Sequence, residues 1–174
     1  MKKNKALFLD RDGVICKALP RGEYLISLEQ FEFMDGIKDF IDFTKQNGYK
    51  IFVITNQGQI AKKLITISEL DAIHKKMQEF LDNKINAIYY CPHQDGDGCG
   101  CRKPNPGLPL EAIKEFNINP SLSFFIGDSD KDINTGVAIG SRTIFIKNDF
   151  NTHELDKCSP DFVVNSLEEI KCII

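Results

Sequence analysis

Six short apolar runs, at residues 5–10, 50–55, 87–91, 123–127, 143–146 and 161–164, alternate with amphipathic stretches at 36–47, 68–83, 108–116, 131–139 and 167–172. Most of the runs are continuous Ile, Val, Leu and Phe, as expected when both faces of a strand are covered. Strand, helix, strand repeated in this way predicts a mostly parallel sheet with right-handed crossovers, an α/β Rossmann-like three-layer sandwich. Ser68 is expected to cap one helix at its start and Gly48 to close another. At 174 residues the chain is expected to form one domain, 1–174, around one core, without a large cap domain. Only 16–33 and 94–100 read as irregular insertions.

The balance of charge narrows the partners. A formal net charge of −3 gives no global electrostatic case for nucleic acid or an anionic membrane surface. No apolar run approaches the ~20 residues that span a bilayer. The basic start, Met1 to Lys5, is followed by an apolar stretch too short for a signal-peptide core, which implies a cytoplasmic address. A monomer acting on a small molecule is the expectation.

Chemistry concentrates where strands end. Asp10 and Asp12, one residue apart in Asp-Arg-Asp-Gly, close the first run. The C-terminal edge of a parallel sheet is where ligands bind. Two acids there repel unless a cation or a shared proton holds them, and an Asp can attack phosphorus. Thr55, Asn56 and Gln57 end the second run, offering a hydroxyl, amides and free N–H groups to phosphate oxygens, or simply a polar cap. Arg102 and Lys103 precede Pro104 on a stiff backbone, where fixed positive charge neutralises phosphate. Asp128, Asp130 and Asp132 follow the fourth run. Oxygen-only density of that kind suits Mg²⁺, with Asp128 the favoured ligand, Asp132 the weaker one and Asp130 a helix cap.

Cys91-Pro92-His93 and Cys99-Gly100-Cys101 have a different chemistry. In extended chain, residues i and i+2 point to one side, so each pair offers two ligands to one ion. Three thiolates and an imidazole make a closed, structural Zn²⁺ site. The loop between them has little apolar surface to pack, so metal would order it. Cys16, Cys158 and Cys172 read as incidental or core residues, and His74 and His153 as having no constellation around them.

Taken in order, Asp-Arg-Asp-Gly at 10–13, Thr-Asn-Gln at 55–57, Arg-Lys-Pro at 102–104 and Gly-Asp-Ser-Asp-Lys-Asp at 127–132 resemble the haloacid dehalogenase superfamily of phosphotransferases. The Cys-x-His and Cys-x-Cys loop resembles its zinc-loop branch of heptose-bisphosphate and histidinol-phosphate phosphatases. The resemblance implies Asp10 as nucleophile and Asp12 as general acid, then base. It implies Mg²⁺ on Asp10, Asp128 and the backbone carbonyl of Asp12, with Thr55 and Lys103 on the phosphoryl oxygens. Arg11, Asn56, Gln57 and Arg102 are expected at the substrate. The implied reaction is release of the 7-phosphate of a heptose 1,7-bisphosphate in nucleotide-heptose synthesis, with histidinol phosphate as the alternative. Ser129 stands where the heptose enzymes commonly carry Lys. Lys17 and Arg21 are open candidates for a distal phosphate, and Glu23 for an amine. A zinc-loop binding module would need a basic or aromatic docking face, which neither the charge nor the absence of Trp supports.

Overall fold

The computed structural model describes residues 3–20 and 22–174. Arg21, a candidate for a distal phosphate, lies outside the described residues. The strands are β1 (Ala6–Leu9), β2 (Lys50–Asn56), β3 (Ala87–Cys91), β4 (Phe124–Gly127), β5 (Arg142–Ile146) and β6 (Phe162–Val164). Between and after them run α1 (Ile37–Gln46), α2 (Ile67–Phe80), α3 (Gly107–Phe116), α4 (Asp130–Ile139) and α5 (Leu167–Lys171).

All six strands pair in parallel, in the order β3-β2-β1-β4-β5-β6. The chain builds outward from β1 through β2 to β3, then returns past β1 to lay down β4. That reversal opens a crevice beyond the carboxyl ends of β1 and β4.

Alternation along each strand divides the core in two. Leu7, Leu9, Ile51, Val53, Phe124 and Ile126 face a layer of α1, α2 and α5 side chains that includes Phe40, Ile73 and Ile170. Phe8, Phe52, Ile54 and Phe125 face the opposite side with Leu108 and Ala112 of α3 and Ile139 of α4. Phe8 stacks between Phe52 and Phe125, with centroids 5.6 and 6.0 Å away. Each such ring, fully buried, contributes about 1.5–3 kcal/mol relative to exposure.

The start of α2 corrects one expectation. Thr66, not Ser68, is the cap, because its hydroxyl accepts from the Glu69 N–H while Glu69 reaches back to the Thr66 N–H. Similarly, α4 is capped by Ser129, not Asp130, in a box with Asp132. Gly48 closes α1 as expected, with φ +76° that favours glycine.

Candidate active site

Asp10 follows β1 directly, its N–H held by the Ile126 carbonyl at 3.0 Å, and Asp128 follows β4. Thr55 lies at the end of β2. These strand tips bring Asp10, Asp12, Thr55, Asn56, Arg102, Lys103 and Asp128 to one cavity of about 290 Å³. Its remaining wall comes from Ala18, Leu19, Glu23, Tyr24 and Leu25 of the first insertion, Gly58 and Gln59 after β2, and Ser129 and Lys131 of the α4 start.

Two glycines permit the close approach. Gly13 has φ +87°, and a Cβ there would stand 2.2 Å from Asp128 Oδ2. A Cβ on Gly127 would stand 2.1 Å from Asp132 Cβ.

Lys103 joins the acids. Its ammonium, 2% exposed, donates to Asp132 Oδ1 at 2.6 Å and to the Ile54 carbonyl at 2.8 Å, and lies 2.9 Å from Asp10 Oδ1. Asn56 brackets the same residue, donating to the Lys103 carbonyl and accepting from its N–H. Burial opposes charge on Lys103, but Asp10 and Asp132 more than offset it and hold its pKa above the usual lysine range. Asp132 is fully buried and given to Lys103 and Ser129, so it belongs to the charge network.

The acids outnumber the cation. Oxygens of Asp10, Asp128 and Asp132 lie within 4.8 Å of one another. Burial, with repulsion from Asp132 and Asp12, pushes Asp10 up to about 7 against the pull of Lys103. Burial and the charge of Asp10 also push Asp128 well above the carboxylate range. Three clustered carboxylates with one ammonium fit a hard divalent cation as the missing positive charge.

A pH dependence follows. Both folded pKa values lie above the unfolded 3.8, so the metal-free fold holds protons that the unfolded chain has released. This contribution is fully present below about pH 4 and is lost as pH rises through 7. Mg²⁺ is expected to raise the melting temperature more at pH 8 than at pH 5. Equal shifts in thermal melts at the two pH values would contradict the cation assignment.

Asp12 is held differently. Arg11 grips it with Nε and Nη2, each at 3.0 Å, while Gln57 Nε2 donates at 3.1 Å and Cys16 Sγ at 3.2 Å. Burial works against the charge, but the Arg11 fork and the other donors keep Asp12 below the usual carboxylate range. Arg11 and Gln57, both expected at the substrate, do not line the cavity. Each is 0% exposed because its side chain turns back beneath the acid. Gln57 also donates to Thr55 Oγ1 at 2.8 Å, which leaves the Thr55 hydroxyl proton for a ligand.

Cys91, His93, Cys99 and Cys101 converge. Cys91 Sγ lies 3.2 Å from Cys101 Sγ and 3.7 Å from Cys99 Sγ, and His93 Nδ1 lies 3.3 and 3.5 Å from Cys101 and Cys91 Sγ. A tetrahedral zinc site has edges of roughly 3.5–3.8 Å, given its bond lengths. The four donors therefore fit Zn²⁺ with little movement.

Beside this cluster, Asp95 accepts from Arg102 Nε at 2.7 Å and from Lys131 Nζ at 3.2 and 3.3 Å. Both cations line the cavity. Lys131 had no signal in the sequence beyond its place in the first turn after β4. Lys17 pairs with Glu32 and does not line the cavity, whereas Glu23 does.

The haloacid dehalogenase-like family model described as HAD-hydrolase-like matches residues 100–170. The D-glycero-beta-D-manno-heptose-1,7-bisphosphate 7-phosphatase of Helicobacter pylori is 37% identical over 165 residues, covering 91% of this chain and 94% of its own. The D-glycero-alpha-D-manno-heptose-1,7-bisphosphate 7-phosphatase of Campylobacter jejuni is 39% identical, covering 84% of each. The crystal structure of D,D-heptose 1,7-bisphosphate phosphatase from B. bronchiseptica, complexed with magnesium and phosphate, superimposes with a TM-score of 0.88. It is 26% identical and covers 97% of both chains.

Proposed function

This chain belongs to the heptose-1,7-bisphosphate 7-phosphatase family of haloacid dehalogenase-like hydrolases, and we propose that it removes the 7-phosphate of D-glycero-D-manno-heptose 1,7-bisphosphate through an aspartyl-phosphate on Asp10. The convergence of Asp10, Asp12, Thr55, Lys103 and Asp128 on one cavity carries the reading.

A carboxylate oxygen of Asp10 attacks the phosphorus as the bond to the sugar oxygen breaks. Asp12, held ionised by Arg11 in the free site, first takes up a proton from the incoming phosphate monoanion or from solvent. It gives that proton to the leaving oxygen, then takes one from a water that attacks the same phosphorus. Phosphate leaves and Asp10 is regenerated. Lys103 and the Thr55 hydroxyl hold phosphoryl oxygens, and Asn56 fixes the Lys103 backbone. Asp10, Asp128 and the Asp12 carbonyl would hold Mg²⁺, which supplies positive charge to the transferring group. Cys91, His93, Cys99 and Cys101 would hold a structural Zn²⁺ that orders the loop leading into Arg102 and Lys103. Arg102 and Lys131, gathered on Asp95, offer a second anion a seat at the same cavity, which supports a bisphosphate. We place the reaction in the cytoplasm, with a monomer supplying heptose to lipopolysaccharide precursors.

Glu23 at the cavity wall favours a second reading, an amine-bearing histidinol phosphate. Phosphate release from both heptose bisphosphate anomers and from histidinol phosphate tests the two. The expected result is a kcat/KM preference for a heptose bisphosphate of over about a hundredfold, roughly 2.7 kcal/mol. Preference for histidinol phosphate would replace the substrate and leave the chemistry in place.

A further inference from the structure

We infer that Arg11 and His74 are positioning residues that fix the carboxylate of Asp12, an inference that rests on reading Asp12 as the acid/base group. The pair is asymmetric. Asp12 keeps 38% of its side chain exposed at the cavity, while the Arg11 side chain is entirely buried behind it. A buried guanidinium is a poor device for packing alone, since apolar residues of similar volume do that without desolvating a charge.

The third guanidinium nitrogen, Nη1, faces Nε2 of His74 at 3.4 Å. His74 is 7% exposed on the inner face of α2, between core residues Leu70, Ile73 and Met77. Burial, and the nearby charge of Arg11, push its pKa down to about 4, so the ring is neutral and can accept from Nη1. The Thr66–Glu69 box and the core contacts set the placement of α2. His74 passes that placement to Arg11, and the two-point fork passes it to Asp12. Cys16 and Gln57 close the ring of donors from the other sides. Turning Asp12 away from its place therefore means breaking four contacts at once.

The test uses the metal-loaded protein and a heptose 1,7-bisphosphate. His74→Leu, similar in volume but without an acceptor, is expected to lower kcat by about tenfold to a hundredfold with KM unchanged, the scale set by small misplacements of catalytic groups. His74→Gln, which restores an acceptor oxygen, is expected to recover most of the rate. In an Asp12→Asn background, His74→Leu is expected to leave the residual rate unchanged, because nothing remains for it to position. Full activity of His74→Leu beside an impaired Asp12→Asn would overturn this inference alone. Equal fractional losses in both backgrounds would do the same, by marking a merely structural role. Full activity of Asp12→Asn would remove the acid/base reading and this inference with it. Nitrogen-15 NMR of the unmutated protein needs no variant to fold. Its expected result at neutral pH is a protonated Nδ1 and a bare Nε2, and a protonated Nε2 would overturn the contact.

Discussion

Asp10→Asn is expected to lower phosphate release by a factor on the order of 10⁴ or more, the scale seen when a covalent nucleophile is removed. An amide is nearly isosteric with the carboxylate but is a far weaker nucleophile toward phosphorus. It also takes one negative charge from the cluster with Asp128 and Asp132. The folded state should therefore survive, and the metal-free variant should melt no lower than the parent at pH 8. Phosphate release and thermal melting on one preparation separate the two effects. Retained activity would exclude an aspartyl-phosphate on Asp10, and the reaction would then need another attacking group.

Lys103→Met is expected to destabilise the metal-free fold by about 3–5 kcal/mol, the cost of breaking a buried ion pair from one side. Total stability is typically only about 5–15 kcal/mol, so the midpoint of urea unfolding should move visibly. The ammonium has three protons and faces three acceptors, on Asp10, Asp132 and the Ile54 carbonyl. Methionine keeps most of the stem and none of the donors. Adding Asp132→Asn should recover part of the loss, because one of the two stranded charges goes with it. Parent stability in Lys103→Met would show that the carboxylates are already neutral without it. The same variant should lose about a hundredfold or more in kcat, as expected for a charge aimed at the transferring group.

The fold was legible because its signal is repeated. Phe8 and Leu9 belong to opposite core layers, and the same alternation recurs in the neighbouring strands β2 and β4. Boundaries were less legible where two signals compete. The helix expected over 68–83 runs over Ile67–Phe80. The Thr66–Glu69 box starts it earlier, and Asp82 and Asn83 end it with φ +53° and +55°. Asp10, Thr55, Lys103 and Asp128 could be gathered from sequence because strand order alone brings their backbones to one edge. Arg11 and Gln57 could not be placed, since nothing local says which way a loop side chain turns. His74 meets Arg11 across 63 positions, a contact that no spacing encodes. Lys131 is similar: its partner Asp95 lies on the loop between Cys91 and Cys101, 36 residues away.

The described residues form no large cap, and among them the cavity over Asp10 is walled by short segments at 18–19, 23–25, 55–59, 102–103 and 128–131. Enzymes that close over their substrate must open again, and that opening often sets the pace of turnover. Here the sugar departs, and water arrives, through a mouth already formed. The acyl phosphate proposed on Asp10 would thus be in contact with solvent from the moment it forms. On the proposed mechanism its lifetime would be set by how fast Asp12 deprotonates a water. Turnover in such a site should be insensitive to solvent viscosity.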